Sequence, residues 1–425
     1  MKVALVQPYY FNIWEALGSA YIAAYAKKHY GKPLEFLTFQ GYFDSEEKIL
    51  KEAADCDIVG FSCTSPTFKP GVRIAQKLKA INPRVHTVFG GFHPSAVPND
   101  CLEEEGVDQV VVGEGEQAFL QVLRGNRAEI INGDKFTEFN EFFPDRHAIH
   151  NQRTIDLCER QIGKRITSFM SNRVCPLQCT FCAERIVTGR PNKVTNPIRE
   201  RDPKHLLDEI EMVTKQFGLT YFKFADATWN TSPAKVIAFC EEKIRRGLKI
   251  PFEANIHATF TNEAMFEAMK AANCNQINVG CESGSPKILR DVKKGLMVDR
   301  LIQVFDWARK HGIERRGYFL IGMPNEKEED IRMTEALVER IQPEVFGITV
   351  ICPYPGTDLY DPARMKDWDW TFTDEYSNPY WSTPNFSNQD LKKWQKYLMD
   401  KFSDTLAWHN KMLIEGNTIG SECVT

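Results

Sequence analysis

The 425-residue chain has no apolar run long enough to cross a bilayer, so a helical membrane protein is excluded. It has no excess of either charge: lysine plus arginine total 53, aspartate plus glutamate 57, and the formal net charge is -4. No basic field invites a nucleic-acid partner. The opening "MKVALVQPYY" runs straight into a strand-like segment without the layout of a signal peptide. Internal repeats and low-complexity tracts are missing. No G-x-G-x-x-G follows the first apolar run, which argues against a dinucleotide. These absences predict a soluble, cytoplasmic protein, and its length predicts two or three domains.

Cysteine is the residue the chain does have. Twelve cysteines are unusual as disulfides in a reducing compartment. Nine are scattered singly and suit small buried core positions. The other three sit in "VCPLQCTFC" as Cys175, Cys179 and Cys182, spaced C-x3-C-x2-C with no fourth nearby. Structural zinc takes four ligands, usually from two C-x2-C pairs, and the chain has no second pair. A disulfide leaves one thiol over. Three thiolates on one short loop suit three corners of a [4Fe–4S] cube, whose fourth iron is then free to bind a ligand.

The N-terminal third alternates strand-like and helix-like runs: "KVALVQP", "LEFLTFQ", "DIVGFSC", "VHTVFGG" and "QVVVGEG", each followed by a helical segment. Five strands in strict alternation with helices predict a doubly wound parallel sheet, and ligands of such sheets bind at the carboxyl ends of the strands. Those ends carry Tyr9 and Tyr10, Ser62 and Thr64, Gly90, Gly91 and His93, and Gly113, Glu114 and Gly115. Several small or polar ends on one edge favour a large flat or extended ligand. A second alternation starts at "RITSFMSNR", which leads into the cysteine loop, and yields six β/α units. Eight would close a barrel; six predict a partial barrel, open on one side. The expected organisation is a Rossmann-like α/β domain over 1–130, a linker over 131–163, a (β/α)6 partial barrel over 164–358 and an aromatic-rich C-terminal cap over 359–425.

C-x3-C-x2-C after the first strand of such a barrel resembles the signature of the radical S-adenosylmethionine (SAM) enzymes. The stretches "VGCESGSPKILRDVKKG", "GYFLIGMPNEKEEDI" and "CPYPGTDLY" resemble one large branch, and "DIVGFSCTSPTF", "VFGGFHPSAVP" and "VVGEGEQAF" resemble its cobalamin-binding domain. The family implied is the cobalamin-binding radical SAM family, with a [4Fe–4S] cluster, SAM and cobalamin as cofactors and an electron donor such as flavodoxin or ferredoxin. The resemblance places Phe181 near the adenine, and Asp226, Glu282, Ser283, Gly322 and Met323 at barrel strand ends facing SAM. His257 stands near a position where relatives often carry arginine, and Ala227 replaces a second acid beside Asp226. The activity implied is methyl transfer to an unactivated carbon or phosphorus. The alternatives are cyclisation or rearrangement in the same family, with or without cobalamin, and a non-catalytic cofactor-binding module. Relatives with a histidine beneath cobalt carry it in a D-x-H-x-x-G motif after the first strand. Here that loop reads "QPYYFNIWEALG", with Trp14 but no histidine, which implies cobalamin with its base detached and no histidine ligand.

Overall fold

The computed structural model describes residues 1–11, 15–189, 196–407 and 410–411. Trp14 lies outside the described residues, as does part of the cap. Six parallel strands form the N-terminal sheet: β1 (Lys2–Gln7), β2 (Glu35–Gln40), β3 (Ile58–Ser62), β4 (His86–Gly90), β5 (Gln109–Val112) and β6 (Ile130–Asn132), in the order β2-β1-β3-β4-β5-β6. Alternate residues of β1 feed two separate cores, Ala4 and Val6 on one face and Val3 and Leu5 on the other. A sheet covered by helices on both faces needs such continuously apolar strands. The sequence predicts five strands here. The sixth pairs with β5 through Ile130, Ile131 and Asn132, and three residues are too few to show a period of two.

The second sheet is also parallel: β7 (Ile166–Phe169), β10 (Tyr221–Phe224), β11 (Phe252–Ile256), β12 (Cys274–Glu282), β13 (Glu314–Ile321) and β14 (Val345–Val350), hydrogen-bonded in chain order. Two short strands, β8 (Asn172–Arg173) and β9 (Arg199–Glu200), pair antiparallel beside it. The expected single strand "RITSFMSNR" is thus broken after Phe169. The barrel strands bury only their outer face in one large core, through Phe222 and Phe224, Ala254 and Ile256, Phe319 and Ile321. Their inner face is polar. Gln276 donates to Asn278 (2.7 Å), Asn278 to Asn255 (3.1 Å), and Asn255 to the Asp226 carbonyl (3.1 Å), an amide chain across the lumen.

β7 and β14 do not pair, so the barrel is open between them. The edge of β14 is covered from the C-terminal side: Phe346 bridges Leu406, and Asn410 bonds both backbone groups of Ile348. The linker docks through buried Arg146, which bonds the Ser168 carbonyl (2.8 Å), Glu209 (2.9 Å) and Asn151 (2.9 Å). No helix among the described residues is long and apolar enough to cross a membrane.

Candidate active site

The cysteine loop leaves the carboxyl end of β7, and the acid at the end of β10 holds its first turn. Asp226 accepts from the Ser171 and Asn172 amides (2.8 and 2.7 Å) and from the Ser171 hydroxyl (2.9 Å). Burial pushes its carboxyl up to about 7 against those hydrogen bonds. Both oxygens of Asp226 thus serve the loop, and Ala227 needs no acid for that task. Val174 then takes φ 77°, left-handed and strained for a β-branched residue. Cys175 Sγ lies 3.3 Å from Thr228 Oγ1. Cys175, Cys179 and Cys182 line one recess with Leu177, Arg185 and Gly189. Burial raises the Cys179 and Cys182 thiols to about 11 and about 12, so they become thiolates only with a metal centre to stabilise them. Among the described residues no three His, Cys, Asp or Glu side chains converge on one ion.

Facing this recess is a buried ion pair that sequence reasoning found only by half. Glu282 ends β12 with φ 59°, where the β12–β13 register shifts. It accepts from Lys294 Nζ at 2.6 Å, and both side chains are buried. Burial opposes the Lys294 charge, but Glu282 and Cys179 hold its ammonium above the usual range. A Cβ on Gly280 would stand 2.5 Å from Glu282 Oε1 and 2.9 Å from Lys294 Nζ; glycine admits the pair. In "DVKKG" nothing separates Lys294 from a solvated lysine. His257 follows β11, and its Nδ1 accepts from the Thr259 amide (3.3 Å). Burial pushes it down to about 3 against a hydrogen bond to the Lys294 backbone, so the ring is neutral.

The remaining barrel residues divide. Phe181 is half-buried against the core, and Met323 lies within it. The Ser283 hydroxyl meets Thr334 Oγ1 (3.2 Å) behind the strand end. Gly322 has φ 88°, and a Cβ there would meet Leu391 (3.1 Å) and Trp381 Nε1 (3.2 Å). Trp381 Nε1 donates to the Gly322 carbonyl at 2.7 Å. The backbone conformation and the closeness of the cap thus both require glycine. Sequence reasoning also missed Glu326, which accepts from the Gly322 and Met323 amides (2.6 and 3.3 Å). Burial raises its carboxyl to about 8.

The N-terminal edge is of another kind. Strand order reverses between β1 and β3, the crevice where doubly wound sheets bind ligands. Around it Tyr9, Ser62 and Thr64 are exposed, Gly90 ends β4 and Gly91 follows it. Gly91 has φ 97°, and a Cβ there would strike the Cys63 carbonyl at 2.7 Å. His93 is buried; its Nδ1 lies 3.0 Å from Ser65 Oγ and its ring 4.6 Å from Phe68. Burial pushes it down to about 4. Gly113 and Gly115 flank Glu114, which is turned away from ligand toward Arg173 and Arg199.

Tyr10 reaches the cap. Its hydroxyl donates to Asp374 at 2.6 Å, and Phe11 meets Tyr376 edge-on at 6.2 Å. The Tyr354 hydroxyl, after β14, donates to Glu375, and burial raises the Glu375 carboxyl. The turn Trp370–Phe372 lies against the helix Ser65–Ile81 of the N-terminal sheet. The aromatics Trp368, Trp370 and Tyr380 pack on one another.

Known proteins share this arrangement. Residues 170–338 match the Radical SAM superfamily and residues 9–123 the B12 binding domain. An uncharacterized methyltransferase of Pyrococcus horikoshii is 28% identical over 364 residues, covering 82% of this chain and 78% of that protein. The anaerobic magnesium-protoporphyrin IX monomethyl ester cyclase of Rubrivivax gelatinosus is 25% identical over 401 residues, covering 86% of this chain and 70% of the cyclase. Among solved structures, the radical SAM methyltransferase TsrM of Kitasatospora setae, with cobalamin and [4Fe–4S] cluster bound, has the same fold. Its TM-score is 0.70 at 15% identity, over 98% of this chain and 99% of TsrM.

Proposed function

Because the chain belongs to the cobalamin-binding radical SAM enzymes, with [4Fe–4S], SAM and cobalamin as cofactors, we propose that it methylates an unactivated carbon or phosphorus of a small metabolite. The observation that carries this reading is the abutment of two edges. The loop after β5, on the cobalamin side, is ion-paired directly to the hairpin beside the cysteines. When bound, the cluster and SAM supply a 5′-deoxyadenosyl radical and methylcobalamin supplies the methyl group.

The chain's own residues hold and enclose these groups. Cys175, Cys179 and Cys182 would hold the cluster through three of its irons, and the cluster would supply the site for SAM. Glu282 and Lys294 would present a matched pair of charges to the zwitterionic end of SAM, with His257 next to Lys294. Tyr9, Ser62, Thr64, Gly90 and Gly91 would line the crevice for cobalamin, with neutral His93 held by Ser65. Tyr10, Tyr354 and Glu375 close the space between the edges and exclude water from it. A flavodoxin- or ferredoxin-type donor supplies the electron in the cytoplasm.

The likeness to a cyclase favours a second reading, ring formation without methyl transfer. Anaerobic turnover with candidate metabolites, read by mass spectrometry, separates the two. Methyl transfer yields S-adenosylhomocysteine together with 5′-deoxyadenosine at every turnover. Sustained 5′-deoxyadenosine without S-adenosylhomocysteine overturns the methyltransferase assignment.

A further inference from the structure

Glu114 stands in the loop after β5, among residues expected to touch cobalamin, yet its carboxylate is spent elsewhere. It accepts from Arg173 Nη1 (2.8 Å), from both terminal nitrogens of Arg199 and from the Phe136 amide (3.0 Å). Glu116, one helical step on, takes Arg173 Nη2 at 2.5 Å. The two arginines are the partners of one hairpin: Arg173 ends β8 and Arg199 begins β9. The side chains of Arg173, Arg199, Glu114 and Glu116 are 9%, 10%, 4% and 4% exposed. The set is neutral, two cations against two anions, so the burial of each charge is compensated inside it.

Everything around this set is stiff. Arg173 is also surrounded by the rings of Tyr21, Phe136 and Phe139, at 5.3, 4.9 and 5.3 Å. Forked arginine–carboxylate pairs fix orientation as well as distance. The Glu114 backbone is pressed against Gly133, where a Cβ would lie 1.9 Å from the Glu114 carbonyl. One residue separates Arg173 from Cys175, and it is Val174, held at φ 77°. A strained residue persists only where its neighbours over-determine it, and here Arg173 is clamped on one side and the cysteine loop begins on the other. The chain after Cys182 meets the same edge: the helix Glu184–Thr188 lies against the helix Phe92–Ala96, and a Cβ on Gly113 would be 3.6 Å from the Val187 carbonyl.

We propose that Glu114 is a positioning residue: with Arg173 and Arg199 it locks the carboxyl edge of the cobalamin sheet to the cluster loop and so sets the separation between bound cobalt and bound cluster. It acts through the two arginines and touches neither cofactor. A fixed separation matters because a group passed between two cofactor sites needs both held in reach, and misplacement by about 1 Å costs on the order of a hundredfold in rate. The inference rests on the cofactor set and not on methyl transfer, so it survives if the enzyme proves to be a cyclase.

The test is pulsed dipolar electron paramagnetic resonance on the full-length holoenzyme, with cobalt as cob(II)alamin and the cluster reduced. The wild type is expected to give one narrow cobalt–cluster distance. Glu114→Gln and Arg199→Met are each expected to broaden or shift it while one cluster and one cobalamin stay bound, and Arg199→Lys to restore most of the narrowness. Arg315→Met breaks the pair between buried Arg315 and exposed Glu344, away from the clamp, and is expected to lower stability without moving the distance. Three results overturn the proposal: an unchanged distance in both clamp variants, an equal broadening in Arg315→Met, or loss of cobalamin in Glu114→Gln alone, which would make Glu114 a cobalamin contact. If Glu114→Gln does not fold, Arg199→Met decides, since it keeps the Arg173 pairs.

Discussion

The two sheets are built from the same alternation of strand and helix, yet their carboxyl edges differ in kind. The barrel edge gathers charge and metal-binding groups: three cysteines, the Glu282–Lys294 pair and Asp226. The N-terminal edge offers Tyr9, Ser62, Thr64 and glycines, with His93 neutral and Glu114 neutralised by arginine. On the function proposed, one edge would bind by coordination and ion pairing, the other by surface and shape. A small charged ligand needs point contacts, whereas a macrocycle needs area, and the residues follow that division.

The sharpest way to break this contrast is to remove the coordination. Alanine at Cys175, Cys179 and Cys182 together is expected to abolish the visible absorbance of the reconstituted cluster and all reductive SAM cleavage. Full iron loading in that variant would refute the assignment of the loop.

The next effect concerns the ion pair. Glu282→Ala strands a buried lysine and is expected to cost about 3–5 kcal/mol of stability, as uncompensated buried charges do. Glu282→Gln is the gentler probe. It should weaken SAM binding about tenfold, equivalent to about 1.4 kcal/mol, and leave the iron content unchanged. Equilibrium binding that matches the wild type would remove Glu282 from the SAM site.

On the other edge the expected effects are smaller. His93 falls from 6.5 to about 4 on folding because it is buried. As pH drops, the unfolded chain is protonated first, so stability is complete above 6.5 and lost progressively between 6.5 and 4. His93→Gln should flatten that part of the curve of melting temperature against pH, relative to wild type. The same residue tests the cobalt ligand. With base-off cobalamin and no histidine beneath the metal, the Co(II) spectrum of His93→Ala should equal that of the wild type. Nitrogen splitting that vanishes in the variant would show that histidine coordinates.

The smallest effect separates the cap from both edges. Trp381→Phe removes the bond to the Gly322 carbonyl, worth about 1 kcal/mol, and leaves a small void in the core; it is expected to lower the melting temperature with SAM affinity intact. A large loss of SAM affinity would instead place the cap within the SAM site.

Much of this was legible in the chain. Continuous apolar runs such as "VALV" and "VVV" mark strands buried on both faces, and alternating runs such as "YFKF" and "ERRGYFLI" mark strands with one polar face. The cysteine spacing carries its own chemistry, because three thiols within eight positions must share a loop. Roles at single strand ends were less legible. Asp226, Gly322 and Glu114 stand where the pattern puts them, but their partners are Ser171, Trp381 and Arg199, far away in the chain. Lys294 and Glu326 carried no signal, since a charged residue in a helix-to-strand connection reads as solvated until its burial is seen.

The sequence by itself determined the period of the longer strands, the alternation that forces parallel sheets, and the gathering of three cysteines on one loop, because these depend on residues close together in the chain. The tertiary structure alone decided that one sheet reverses order between β1 and β3 while the other runs in chain order and curls. It alone decided which acids bind and which merely brace. A carboxylate is a ligand, a cap or half of a salt bridge according to what lies within about 3 Å of it, and that distance is set by folds of the chain that no local pattern encodes.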